Sequence, residues 1–264
     1  MEDLPNELLS LILSLLPEDA VAVAARTCKR WFSCCPPHLR HRLWAKTACR
    51  SLSLLQWSLA NGYSMDGGTC EAAALHDNWE VLQWARQQGC PWDNWTTNQA
   101  ARHGNLPLLQ WLREQGCPWD QGTCINAALN GHLEVLQWAH EQGCAWDFWT
   151  CCEAAWNGHL HVLKWVRKKG CPWDVRTCHM AARRGHLEVL KWARKKGCPW
   201  NEETCKKAAE GGHLEVLKWL RENGCPWDGS VRKGALAYGH RAVAQWAEDN
   251  GCPVEAEDED EDEV

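Results

Sequence analysis

The sequence predicts an all-α protein built from short helix pairs that stack as repeats. Three series of residues support this prediction, and each recurs with a step of 27 residues. The first series is Gly-Cys, at Gly89, Gly116, Gly143, Gly170, Gly197, Gly224 and Gly251. The second is a tryptophan, at Trp57, Trp84, Trp111, Trp138, Trp165, Trp192, Trp219 and Trp246. The third is Thr-Cys, which begins at Thr123, Thr150, Thr177 and Thr204.

The copy that begins at Trp119 predicts two helices joined by a tight turn. Asp120 is placed to cap the first helix, because its carboxylate can accept hydrogen bonds from the free N–H groups of the first turn. Gly131 is expected to end this helix in the left-handed conformation, and Gly143 to end the second. The second helix begins near His132 and has leucine and valine at helical spacing. Neither helix can bury its apolar side alone, so neighbouring copies must stack.

The composition indicates one short unit copied many times. The 264 residues include 20 tryptophans but only two phenylalanines and two tyrosines. We expect the repeated tryptophans, such as Trp119 and Trp138, to lie in the core. The 17 cysteines are an odd number in a chain without the basic start of a secretory signal, so reduced thiols are expected. The apolar stretch 8–16 contains two serines and ends at Pro17, so no membrane partner is expected.

No motif in the chain predicts catalysis or a cofactor. The sequence has no Gly-rich phosphate loop and no Gly-x-Ser-x-Gly motif. The recurring cysteines and histidines lack the short C-x-x-C or H-x₃₋₅-H spacing that structural zinc needs, so no metal ion is expected. Nucleic-acid binding is not expected either, because the formal net charge is −6 and the C-terminus is polyanionic.

The helix pairs resemble ankyrin repeats in the motif T-x-x-x-A-A-x-x-G-H-L-E-V-L followed by G-C. The resemblance covers residues 61–253, which is about seven copies. The unit opens with T-C-x-x where the family has T-P-L-H, and it has 27 residues where the family has about 33. The missing residues lie where ankyrin repeats have a β-hairpin finger. The resemblance therefore implies an ankyrin-like α-solenoid of helix-turn-helix repeats without fingers.

Residues 1–45 do not follow the period, and they resemble the F-box. The segment reads L-P-x-E-L-L-x-x-I-L-x-x-L-P, then Asp19, then C-K-R-W and a final Leu43-Trp44. In that family the first helices present apolar residues to a Skp-type adaptor of cullin–RING ubiquitin ligases. The resemblance implies the following adaptor-binding residues: Leu4, Pro5, Leu8, Leu9, Ile12, Leu13, Leu16, Cys28 and Trp31. The alternative is that residues 1–45 only cap the first layer of repeats.

These features predict an F-box-like segment at 1–45, an ankyrin-like solenoid at 46–254 and a disordered acidic tail at 255–264. The predicted function is the substrate receptor of a Skp–cullin–F-box type ubiquitin ligase, which recruits a target protein and has no catalytic residues of its own. The alternative is a non-enzymatic scaffold or sequestering protein. This combination is similar to large protein families of giant DNA viruses, which implies action in the cytoplasm or nucleus of a host cell.

Aromatic residues at positions that differ between copies are candidates for target binding. Trp95, Phe148 and Trp149 occupy the two variable positions after the repeated Trp-Asp. Trp156 stands where other copies have leucine or arginine. Exposed aromatic side chains are typical anchors of protein interfaces. Extra packing within the repeats is the alternative interpretation.

The charge is unevenly distributed along the repeats. Residues 66–147 include 3 basic and 10 acidic residues, whereas residues 160–221 include 15 basic and 6 acidic residues. The basic stretch, which contains Arg183 and Arg184, either docks an acidic partner or favours the C-terminal ends of helices. The eight carboxylates between 255 and 263 either compete for the basic repeats or increase solubility.

Overall fold

A computed structural model describes residues 48–60 and 63–253, and these residues form fifteen helices and no strand. The predicted F-box-like helices and the acidic tail lie outside the described residues. The described chain divides into two compact units between Trp119 and Asp120, and each unit is described by itself. The predicted all-α fold of helix pairs is confirmed in both units.

In the first unit, the described residues 48–60 and 63–119 form one single helix and two helix pairs. The single helix α1 packs on α3, and the first helices of the two pairs, α2 and α4, pack side by side. The helices are α1 (Leu52–Ala60), α2 (Gly67–Leu75), α3 (Trp79–Gln87), α4 (Asn94–Arg102) and α5 (Leu106–Glu114).

The second unit contains five helix pairs, and each first helix packs against the first helix of the next pair. The first helices are α6 (Gln121–Leu129), α8 (Phe148–Trp156), α10 (Val175–Arg183), α12 (Glu202–Glu210) and α14 (Ser230–Ala237). The second helices are α7 (Leu133–Glu141), α9 (Leu160–Lys168), α11 (Leu187–Lys195), α13 (Leu214–Glu222) and α15 (Arg241–Asp249). Each second helix packs on its own first helix.

The helix ends follow the predicted capping residues. The Asp120 carboxylate accepts a hydrogen bond from the backbone N–H of Gly122 at 2.9 Å, which satisfies a free donor of the first turn. Gly131 and Gly143 adopt the left-handed conformation, with φ of 77° and 80°. This conformation is accessible to glycine without steric penalty. Both predicted helix stops are therefore confirmed.

Small residues allow the first helices to approach one another closely. The alanine pair of the copies up to Ala208-Ala209, for example Ala127 and Ala128, is buried, and the last copy has Ala235 and an exposed Leu236 at these positions. The second helices contribute larger apolar side chains such as Leu136, which is also fully buried. The core therefore consists of alanine, leucine, valine and cysteine.

The recurring Gly-Cys cysteine joins the end of each helix pair to its beginning. The Cys144 thiol donates a hydrogen bond to the carbonyl oxygen of Asp120 at 3.2 Å, and Cys171 does the same to Asp147 at 3.3 Å. All fourteen cysteines of the described residues are buried free thiols. Reduced cysteines remain the expectation from the sequence.

The histidines of the second unit connect successive helix pairs. The ring of His186 packs over Gly158, where an added Cβ would lie 2.7 Å from Nδ1, and its Nε2 donates to the carbonyl oxygen of Trp156 at 2.9 Å. Burial lowers the pKa of His159 and of His213, which favours the neutral ring. These residues are therefore explained by packing between copies.

The repeated tryptophans are half-buried rather than fully buried, so their predicted core position is wrong. In the second unit they form a row that we call the tryptophan edge: Trp146, Trp165, Trp173, Trp192, Trp200, Trp219, Trp227 and Trp246. The rings meet edge to face, as Trp173 and Trp192 do with centroids 5.9 Å apart. The smaller apolar side chains already fill the space between the helices, so the indoles cover the core from outside.

Candidate protein-binding surfaces

The structure separates the six predicted target-binding residues into three groups. Trp95 is the second residue of α4 in the first unit. Phe148 and Trp149 begin α8, and Trp156 ends it. The remaining two residues, Arg183 and Arg184, are the last residue and the C-cap of α10. The two ends of a nine-residue helix lie about 12 Å apart at 1.5 Å per residue. Phe148 and Trp149, at the start of α8, therefore do not form one site with Trp156 at its end.

Trp95 is the most solvent-exposed of the predicted aromatic residues. Its side chain is 55% exposed, and its backbone N–H donates to the Asp93 carboxylate at 3.0 Å. The capping bond fixes the backbone at the start of α4, so the indole is presented from a rigid element. An exposed tryptophan on a fixed backbone is suited to anchor a protein interface.

The start of α8 forms an aromatic group that we call the aromatic entrance: Phe148, Trp149 and Arg176. The two rings lie 5.0 Å apart, and the Arg176 guanidinium of α10 stacks over Phe148 at 3.7 Å. Asp174 holds that guanidinium through a hydrogen bond of 2.9 Å from Nε, and the same arginine lowers the pKa of Asp174. Because both rings are half-buried, they pack between copies and also contribute aromatic surface.

The other end of the first helices contains an open cavity of about 540 Å³, which we call the turn pocket. Its walls include two aromatic rings, each with an arginine beside it. The Arg184 guanidinium lies 4.8 Å from the Trp156 ring centroid, and that of Arg183 lies 5.6 Å from the Tyr238 ring centroid. The residues that define the pocket are Trp156, Arg183, Arg184, Glu210, Gly211 and Tyr238.

The turn pocket includes Gly211, the one copy without a side chain at this position. The same position in the other copies is occupied by His76, His103, Asn130, Asn157, Arg184 and Tyr238. An added Cβ at Gly211 would clash with the carbonyl oxygen of Arg183, so the backbone itself forms the floor at this point. The side chains at the equivalent positions of the copies before and after it are Arg184 and Tyr238, which both line the pocket.

One buried carboxylate lies beneath the pocket. Glu210 is only 9% exposed, and its Oε2 lies 2.8 Å from Lys207 Nζ and 3.4 Å from Arg183 Nη1. The carboxylate therefore orients Arg183. Its single negative charge is shared by two cations, so the local charge remains positive.

Much of the remaining basic excess belongs to the tryptophan edge. Arg167 stacks over Trp173 at 4.1 Å and donates to the carbonyl oxygen of Cys171. Arg194 stacks over Trp200 at 4.2 Å. These arginines lie in the last turns of their helices, where a positive charge also suits the helix dipole.

Sequence reasoning did not identify Arg176, Glu210, Gly211 or Tyr238 as parts of these surfaces. Two signals were present in the sequence. Tyr238 is one of two tyrosines in the chain, and Gly211 lacks a side chain where the other copies have a polar one. Each departs from the pattern of the other copies, which is the criterion that selected Trp156.

Comparisons with known proteins found a family match and a structural similarity. Residues 1–50 match the F-box-like family model, so the predicted resemblance is confirmed. No curated protein sequence matches the chain. Among solved structures, the chain is similar to the crystal structure of the human ASB11 ankyrin repeat domain, with 18% identity and a TM-score of 0.48 over 59% of this chain and 83% of that one.

The F-box-like match and the helical repeats together define the class of protein. The chain therefore combines an F-box-like segment at residues 1–50 with helix pairs in the residues that the structure describes. Among the described residues, no helix combines the length and apolar character needed to cross a bilayer.

Proposed function

We propose that the chain is the substrate receptor of a Skp–cullin–F-box type ubiquitin ligase. The observation that supports this most directly is the F-box-like match over residues 1–50, immediately before the helical repeats. In this proposal the repeats hold a target protein in the cytoplasm or nucleus, and the first segment binds a Skp-type adaptor. The adaptor-binding residues would be Leu4, Pro5, Leu8, Leu9, Ile12, Leu13, Leu16, Cys28 and Trp31.

We further propose domain limits at 1–45, 46–254 and 255–264. The first limit is supported by the burial of Ala48 and Cys49, which are 2% and 0% exposed. The Cys49 thiol donates to the carbonyl oxygen of Thr69 at 3.3 Å, and Thr69 belongs to the first helix of a repeat. Residues from 48 onward therefore pack with the repeats of the first unit.

Co-precipitation with a purified Skp-type adaptor tests the proposal. The full-length chain should capture the adaptor, and Leu8→Asp or Ile12→Asp should abolish capture, because each places a charge among the predicted contact residues. Ser10→Asp is the matched control, since it adds the same charge at a polar position of the same stretch and should preserve capture. Failure of the full-length chain to bind the adaptor would overturn the ligase proposal.

A scaffold or sequestering function is the second candidate. It is favoured by the contacts of Asn78, whose side-chain amide donates to the carbonyl oxygens of Cys49 at 3.3 Å and Arg50 at 2.9 Å. These two residues also fall within the F-box-like match over residues 1–50, so the region next to residues 1–45 packs on the repeats. A pull-down of the target with and without residues 1–45 separates the two functions. A scaffold needs no adaptor in the captured complex.

A further inference from the structure

The turn pocket combines aromatic and cationic walls in one open cavity. Trp156 and Tyr238 supply the aromatic walls, and Arg183 and Arg184 stand beside them. Its volume of about 540 Å³ falls within the range of roughly 300–1,000 Å³ that is typical of ligand-binding pockets. The cavity is therefore large enough to receive a bulky side chain together with neighbouring backbone.

Arg183 and Arg184 make different contacts. Arg183 contacts the Glu210 carboxylate and donates to the Tyr238 hydroxyl at 3.5 Å. Arg184, by contrast, makes no ion pair with any of the described residues. A guanidinium that stacks on an indole keeps its edge N–H groups available, and their geometry matches a carboxylate in a bidentate arrangement.

The nearby ionisable groups do not cancel this positive charge. Glu210 already contacts both Lys207 and Arg183. His213 also lines the pocket, and burial lowers its pKa, so the ring stays neutral at neutral pH. The pocket thus offers a cationic group next to aromatic surface, a combination suited to a ligand that is both anionic and apolar.

We propose that the turn pocket binds an acidic peptide segment of the target protein, in which an aromatic or large aliphatic side chain is flanked by carboxylates. The apolar side chain lies between Trp156 and Tyr238, and a flanking carboxylate pairs with Arg184. This assignment rests on one part of the proposed function, namely that the repeats hold a target protein. The pocket would recognise that target by an apolar side chain beside a carboxylate.

The acidic C-terminal tail of the chain fits the pocket less well. Residues 255–263 have eight carboxylates, but their apolar content is a single alanine, Ala256. A methyl group leaves most of the space between Trp156 and Tyr238 unfilled, and an unfilled apolar space loses the contact energy of its lining. The aromatic walls therefore favour a segment from another protein.

Fluorescence polarisation with the purified full-length chain tests the proposal. The probe is a labelled peptide with one phenylalanine flanked on both sides by aspartate and glutamate, and the comparison peptide has alanine in place of the phenylalanine. The alanine peptide should bind about tenfold more weakly or worse, because burial of a phenylalanine side chain contributes a free energy equivalent to at least that factor. A third peptide with lysine in place of each acid should not bind.

Substitutions in the pocket should weaken binding of the phenylalanine peptide. Arg184→Gln and Tyr238→Ser should each raise its Kd about tenfold, because one removes the carboxylate partner and the other an aromatic wall. Both side chains are exposed, so circular dichroism and the Tm should remain those of the parent. Lys195→Gln is the matched control, since it removes one exposed positive charge away from the pocket and should leave Kd unchanged.

Two results would overturn the assignment. Equal binding of the phenylalanine and alanine peptides, with Lys195→Gln as harmful as Arg184→Gln, would indicate diffuse attraction to a basic surface. A large gain in affinity for the alanine peptide on deletion of residues 254–264 would indicate that the tail occupies the pocket. Neither assay contains the adaptor, so a failure here is distinguishable from failure of the ligase proposal.

Discussion

The tryptophan edge and the turn pocket lie at opposite ends of the same first helices, and they differ in how strictly they repeat. At the tryptophan edge, one arginine stacks over one tryptophan in copy after copy, as Arg194 does over Trp200 and Arg221 does over Trp227. At the turn pocket, the equivalent positions are Arg184, Gly211 and Tyr238. The contact over the tryptophan is made by arginine in most copies, and by His140 over Trp146, whereas the turn pocket lies where the copies differ more widely.

Each arginine of the tryptophan edge makes two contacts that stabilise its helix pair. The arginine side chain covers the indole and also donates to the carbonyl oxygen of the Gly-Cys cysteine, as Arg194 does to Cys198 at 3.3 Å. That carbonyl lies in the loop just after the helix, where no helical partner is available. A substitution in one copy therefore removes both packing and a hydrogen bond. The comparison predicts a large effect on stability at the tryptophan edge and a small one at the variable aromatic residues.

The largest effect is expected for Trp200→Ala. The ring contacts Trp219 edge to face, with centroids 5.8 Å apart, and it supports the Arg194 guanidinium. Because the indole is half-buried, the free energy of unfolding should fall by about 2–3 kcal/mol, below the roughly 3–5 kcal/mol of a fully buried tryptophan. Urea denaturation measures this change. A loss below about 0.5 kcal/mol would show that the repeated tryptophans do not stabilise the fold.

Cys152 is at a position that differs between the copies, yet it does not belong to a binding surface. The equivalent residues are Ile125, His179 and Lys206, yet Cys152 is fully buried. Burial raises the pKa of its thiol from 9.0 to about 12. Above pH 9 the unfolded chain therefore loses this proton while the folded chain keeps it, so stability falls as the pH rises.

By pH 10 this thiol should contribute a loss on the order of 1.4 kcal/mol in the free energy of unfolding. Cys152→Ala removes the titrating group, so the stability difference between the parent and the variant should shift by that amount between pH 7 and pH 10. Urea denaturation at the two pH values measures it. Parallel pH profiles of the two proteins would contradict a buried thiol.

The sequence predicted the helix caps and helix ends correctly, but it did not predict how deeply each side chain is buried. Asp120, Gly131 and Gly143 were assigned correctly because capping and helix termination depend on residue type and backbone conformation. The burial of Trp138 and its equivalents was predicted wrongly. Periodicity shows which positions share a face of a helix, but it does not show which of those side chains fill the space between the helices. Alanine and cysteine occupy that space, and the indoles remain at its margin.

The candidate surfaces show the same limit. Trp156 was identified as an exception among the copies, but its contact with Arg184 required the geometry of stacking. Residues one repeat apart become neighbours only when the first helices pack side by side. The close approach of the Gly211 backbone to the carbonyl oxygen of Arg183 is likewise a three-dimensional feature that a pattern of apolar residues does not show.

A smaller effect is expected for Arg194→Gln. Removal of the guanidinium leaves Trp200 partly uncovered and the Cys198 carbonyl without this donor, so stability should fall by about 0.5–1 kcal/mol. The adjacent Lys195→Gln is a matched control, because it removes the same charge from an exposed residue of the same helix. Chemical denaturation of the two variants separates the stacking contact from a general charge effect. Equal losses would assign the effect to the helix dipole.

The smallest effect on stability is expected for Trp95→Ala. More than half of this side chain is exposed, and the cap at the start of α4 is a bond to its backbone N–H, which alanine retains. The free energy of unfolding should therefore change by less than about 0.5 kcal/mol, while capture of the target by the full-length chain should weaken. Trp200→Ala, compared at a temperature where it remains folded, should retain capture, because it removes a packing residue. A Trp95→Ala chain that loses stability and keeps its target would reverse the assignment, since this tryptophan would then act in packing despite its exposure.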